Sequence, residues 1–188
     1  MNERQNRKGA GREQVLSTAT RLFIDRGAAN VGVNEVTAAA GVARMTLYNN
    51  FPSKEALIAE VYRKLAEQIM QNLTEVAAQK RTEEEKVLSL FDQIGTVKEG
   101  WRGCPMIHAS LQAEESLGEI YDIVRSYKRK LRAFIFDQLD QARFARDELA
   151  DQLLLLLDGL ATQAYLDGAV SPVSSAKQAV KILLRNMP

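Results

Sequence analysis

Gly41 is the residue that most restricts how this chain can fold, because helical patterns close on it from both sides. The stretch from Val31 to Phe51 reads V-G-V-N-E-V-T-A-A-A-G-V-A-R-M-T-L-Y-N-N-F. Val33, Val36, Thr37 and Ala40 recur at helical spacing, so a short helix with one apolar face is expected before the glycine. Small side chains at Ala38 to Ala40 would let a neighbouring helix come close. A glycine just past the last periodic residue accepts the left-handed conformation that ends a helix. Beyond it, Val42 and Leu47 can hold the turn and a second helix inward, and Phe51 closes that helix on the core side. Pro52 stops it, since the residue before a proline is disfavoured in helical geometry. The residues left facing outward are short polar donors, one arginine and one tyrosine: Arg44, Thr46, Tyr48, Asn49 and Asn50. Two helices joined by a tight glycine turn, with the second polar and exposed, form a helix-turn-helix, whose second helix enters the DNA major groove.

The order A-G-V-A-R-M-T-L-Y-N-N-F-P-S-K-E-A-L closely resembles the DNA-binding signature of the TetR/AcrR family of transcriptional regulators. In that pattern a glycine-valine turn is followed by a threonine, a leucine-tyrosine pair, a phenylalanine and a lysine opening the next helix. Those places fall on Gly41, Val42, Thr46, Leu47, Tyr48, Phe51 and Lys54. The resemblance implies that Asn34, Arg44, Met45, Thr46, Tyr48, Asn49, Asn50 and Lys54 contact DNA. Ala43 stands where the family usually has a serine or threonine cap, and Gly32 where a cap is common before the first helix. One helix-end N–H at each place is therefore expected to lack a side-chain partner.

The rest of the chain reads as helices. Val15, Leu16, Ala19, Leu22 and Phe23 share one helical face, predicting a helix from Arg12 that ends at Gly27 and completes a three-helix head. Residues 1–11, with Arg4, Arg7, Lys8 and two glycines, read as a flexible basic arm able to reach phosphates or the minor groove. Ser53 can cap a long connecting helix carrying Leu57, Ile58, Val61, Leu65, Ile69, Leu73 and Val76. Thr82 and Glu85 stand at capping-box spacing for the next helix. Further helices are expected from Pro105, over 119–141, over 147–167 and over 172–187. The fold class is all-α with about nine helices. A helix-turn-helix DNA-binding domain is expected over 1–52, and a helical effector-binding and dimerisation domain over 53–188.

Charge supports that division. Residues 1–51 carry seven basic and four acidic side chains, while the whole chain has a net charge of only +1. A basic head on a slightly acidic body suits a protein whose head alone touches DNA. With Cys104 the lone cysteine and His108 the lone histidine, no intramolecular disulfide is expected, nor a metal site of clustered Cys and His. No cofactor is expected either, since neither a catalytic constellation nor a Gly-rich phosphate loop is present; the chain does not read as an enzyme. With neither a leader peptide nor a membrane-spanning run, the expected location is the cytoplasm.

Leucines run nearly all round the 147–167 helix, which a helix with one solvated side would not tolerate. The economical partner is the same pair of C-terminal helices from a second copy. The residues expected at that contact are Leu153, Leu156, Leu157, Leu160, Ala164, Ala176, Val180, Leu183 and Leu184. TetR-like proteins pair through their last two long helices, which implies a homodimer with heads about 34–36 Å apart on successive major grooves. The body also holds Met70, Phe91, Trp101, Cys104, Met106, His108, Tyr121, Tyr127, Phe134 and Tyr165, enough aromatic and thioether surface to line an apolar effector pocket. Most of these read as core. The resulting expectation is a repressor on a near-palindromic operator, released by a small apolar or aromatic effector. One alternative keeps the regulator and switches it by oxidation or alkylation of Cys104, placed by the Cys-Pro pair near a helix N-terminus. Another is an all-α small-molecule-binding protein that does not bind DNA.

Overall fold

The computed structural model describes residues 3–95, 103–112, 118–167 and 172–187, and every regular element among them is helical. The helices are α1 (Glu3–Arg26), α2 (Val33–Ala40), α3 (Arg44–Tyr48), α4 (Lys54–Ala78), α5 (Glu83–Gly95), α6 (Pro105–Gln112), α7 (Gly118–Gln138), α8 (Arg146–Asp167) and α9 (Val173–Asn186). No described helix is long and apolar enough to cross a membrane. The chain forms two compact units: Met1–Ala66 with Pro105–Val124, and Glu67–Cys104 with Arg125–Pro188. The first is therefore more than the three-helix head expected over 1–52. It takes in the first turns of α4, all of α6 and the start of α7.

In the first unit, α1 packs on α2 and α3. Val15, Leu16, Ala19 and Phe23 are almost completely buried, as are Val36 and Ala40 of α2, Leu47 of α3, and Leu57 and Val61 of α4. Burying a side chain of this size contributes roughly 1.5–3 kcal/mol, so a core built of such residues can hold a helix as short as α3. Of the three alanines ending α2, only Ala40 faces inward; Ala38 and Ala39 are exposed. The expected N-terminal arm is instead part of α1, which begins at Glu3. Glycine costs a helix about 1 kcal/mol relative to alanine, but at Gly11 α1 passes close to α3. A Cβ built there would lie 3.1 Å from Cγ2 of Thr46.

Within the second unit, α5 packs on α8 and α9. Its core joins Leu90 and Phe91 to Leu149, Leu153, Leu160, Val180 and Leu184. The capping box forms as the sequence indicates: the Glu85 N–H donates to Thr82 Oγ1 at 3.1 Å, while the Glu85 carboxylate accepts the Thr82 N–H at 3.1 Å. Arg143 forks onto Glu83 at 2.6 and 2.7 Å and also donates to the carbonyl of Leu184 at 2.8 Å, tying the end of α9 to the start of α5. Burial alone would raise the Glu83 pKa. The Arg143 guanidinium and the Asp140 N–H outweigh it and hold the carboxyl below its usual range.

Candidate nucleic-acid interface

The site is built on the turn at Gly41. This residue has φ 64° and ψ 32°, and the N–H of Val42 reaches back to the carbonyl of Thr37 at 3.1 Å, closing α2 with a Schellman-type bond. A side chain at Gly41 would be strained in that left-handed conformation. The chain then enters α3 through Ala43, whose extended backbone (φ −69°, ψ 147°) suits an N-cap but whose methyl group accepts nothing. Here the Thr46 N–H turns back to the Ala43 carbonyl at 2.8 Å. Gly32, at the start of α2, likewise offers no side-chain cap.

Leu47 is fully buried and fixes the rotation of α3. With 100° per residue, Met45 then lies nearly opposite it and Asn49 one turn further along the same line. Arg44, Met45, Tyr48 and Asn49 are all exposed, so the outer side of α3 is a four-residue ridge. The Arg44 guanidinium stands 5.5 Å from the centroid of the Tyr48 ring. Arg44 makes no ion pair with a carboxylate among the described residues, so its charge is available to an external anion. The nearby charge at Glu35 is met by Arg26, at the end of α1.

Three other expected contact residues have internal duties. Asn50 donates its amide to the Thr46 carbonyl at 2.7 Å, closing the C-terminal end of α3. Thr46 is half-buried against Gly11. Lys54 is half-buried at the first position of α4, next to Ser53, whose hydroxyl accepts the Ala56 N–H at 3.1 Å. Asn34, on α2, is exposed. Sequence reasoning missed Arg12. It lies 5.2 Å from the Phe51 ring centroid and pairs with Glu60 of α4, bracing α1 against the end of the helix-turn-helix. That guanidinium, through its hydrogen bond first, holds the Glu60 carboxyl below its usual range.

The apolar residues expected to line one effector pocket are divided between the two units. Met106 is buried in the first unit, while Phe91 and Tyr127 are buried in the second. Met70, His108 and Phe134 are half-buried and Tyr121 is exposed. Trp101 and the side chain of Tyr165 lie outside the described residues. Cys104 is half-buried near the Tyr127 hydroxyl, whose pKa is pushed up by burial first, then by Cys104 and Asp158. An open groove of about 380 Å³ in the second unit is polar, lined by Lys80, Arg81, Glu85, Asp92 and Lys177 among others.

The expected pairing residues also need correction. Leu153, Leu157, Leu160, Ala164, Val180 and Leu184 are buried within the single chain. A second copy cannot reach them, because they form the inner faces of α8 and α9 against α5. Leu156, Ala176 and Leu183 are half-buried. The apolar side chains left open are Leu155 (71% exposed) and Leu166 (67%) on α8, with Ile182 (52%) on α9.

A short exposed helix held by a glycine turn on a helical scaffold defines a helix-turn-helix protein. Residues 15–61 match the model of the bacterial regulatory proteins of the tetR family. An uncharacterized HTH-type transcriptional regulator of Mycobacterium tuberculosis is 40% identical over 68 residues, which is 34% of this chain and 34% of that protein. The aligned part thus spans about a third of that relative's length. The fold resembles the crystal structure of a TetR-family transcriptional regulator from Streptomyces coelicolor, with a TM-score of 0.84, 24% identity, and 95% of this chain and 96% of that chain covered. It also resembles a cysteine mutant of the TetR-family regulator CifR complexed with 26-bp double-strand operator DNA, with a TM-score of 0.77, 22% identity, and 94% and 96% covered. Residues 15–61 thus carry a DNA-binding segment of the tetR type, and the chain shares its fold with TetR-family regulators.

Proposed function

We propose that this protein is a cytoplasmic transcriptional repressor that binds a near-palindromic DNA operator as a homodimer and is released by a small apolar or aromatic effector. The observation that carries the reading is the outer ridge of α3: Arg44, Met45, Tyr48 and Asn49 exposed on a helix whose Leu47 is locked in the core. An arginine in this position can grip a phosphate or pair with guanine, and an asparagine can pair with adenine. CifR, which shares the fold, is known with operator DNA. Two copies would meet through Leu155 and Leu166 of α8, with Gly159 leaving room between them, and through Ile182 of α9. The effector part of the proposal rests on the family alone.

Direct titration of duplex DNA tests the reading. DNA fragments enriched by the wild-type protein should bind with an affinity that falls steeply as salt rises. Arg44→Ala should weaken binding and Tyr48→Phe should change it measurably. Unchanged affinity in both variants would remove the site assignment. A second reading, in which oxidation or alkylation of Cys104 replaces the effector, is favoured by the interaction of Cys104 with buried Tyr127, which couples that sulfur to the core of the second unit. In Cys104→Ser, a response to oxidant should vanish while a response to ligand survives.

A further inference from the structure

The ridge of α3 contains one side chain that DNA phosphates cannot explain. Met45 is 68% exposed, and it points away from the core because it lies about 200° round the helix from fully buried Leu47. A thioether is a very weak acceptor and no donor, so it has little to offer a phosphate or a polar base edge. Its neighbours are occupied differently: Arg44 stands over the Tyr48 ring, and Asn49, whose N–H bonds the Met45 carbonyl at 2.9 Å, carries an amide one turn further along the same line. The outward line of α3 therefore presents an apolar group followed by an amide.

Within the major groove, the apolar feature that distinguishes one base pair from another is the C5-methyl group of thymine. We propose that Met45 is a specificity-determining residue that reads a thymine in each operator half-site by packing its side chain against that methyl group. The inference rests on the DNA-binding reading above and deepens it, because it assigns to one residue a preference for a chemical group and not for charge. The contact removes one methyl group from water on binding, which corresponds to about a fourfold change in affinity.

The test uses the full-length protein and a duplex enriched from random DNA, in which each thymine is replaced in turn by deoxyuridine, a change that deletes only the methyl. For the wild-type protein, one replacement in each half-site should weaken binding about fourfold while the other replacements do little. Met45→Ala should bind thymine and deoxyuridine duplexes alike at that position, and Met45→Leu should restore the preference. Because Met45 is exposed, circular dichroism of both variants should match the wild type. If the wild type binds the duplex yet no single thymine matters, or if Met45→Ala retains the full preference, the Met45 assignment is overturned while the DNA-binding reading stands. If the wild type enriches no duplex at all, both fall together.

Discussion

Ala43→Ser should stabilise this protein, and the size of the gain follows from the entrance to α3. The backbone at Ala43 already has N-cap geometry, with φ −69° and ψ 147°, but the residue carries no oxygen. The one internal compensation is the Thr46 N–H bond to the Ala43 carbonyl at 2.8 Å. A serine hydroxyl there could accept from the N–H of Met45 or Thr46, a bond that contributes about 0.5–2 kcal/mol and typically about 1. Ala43 is exposed, so the new oxygen suffers no burial. For a chain of this length, 1 kcal/mol corresponds to a rise in Tm of about 2–4 °C, readable by thermal circular dichroism without DNA. Ala43→Asp separates stability from function: its carboxylate caps the helix and complements the helix dipole, so Tm should rise similarly. Set against DNA phosphates, however, that charge should weaken operator binding. A serine variant with unchanged or lowered Tm would refute the argument, as would an aspartate variant that binds DNA as tightly as the wild type.

The other predictions concern the second unit and its pairing. Glu85 is held below its usual carboxyl range by the N–H groups of Thr82 and Arg81. A depressed folded-state pKa means that this stabilisation is present above the ordinary value of 4.5 and is lost as pH falls through the folded value. Glu85→Gln should therefore flatten the acid side of the stability profile measured by urea unfolding. Leu155→Asp and Ile182→Asp should each turn a dimer into a monomer in analytical ultracentrifugation without disturbing the fold, because both side chains are open in the single chain. Leu153→Ala, by contrast, should cost about 2–5 kcal/mol in unfolding experiments, since Leu153 is fully buried.

The parts that were legible in the sequence are those controlled by local chemistry. Gly41 announced a left-handed turn because only a glycine takes that backbone freely, and Thr82 with Glu85 announced a capping box because two residues three apart satisfy each other. Leu47 and Phe51 were legible as inward-facing from their place in the helical period. What was not legible depends on tertiary neighbours. Gly9 and Gly11 read as breakers of an arm, but α1 runs through both, and packing explains Gly11 through its close approach to Thr46. In α8 leucines occur at nearly every angle, so periodicity could not separate the side facing α5 from the open side; Leu153 and Leu155 differ by two residues and have opposite fates. The duty of Asn50 as a closing bond for α3 depends on its rotamer and not on its residue type.

The central claim is that the outer line of α3 lies in a DNA groove, and a photo-crosslinker placed at residue 49 tests it most directly. Asn49 is exposed on the ridge, so the substitution leaves the core untouched. With operator DNA bound, the account predicts crosslinks to bases at one position in each half-site, and none from the same probe placed at Arg21 on the outer side of α1. DNA bound at full affinity with no crosslink from residue 49 would contradict it.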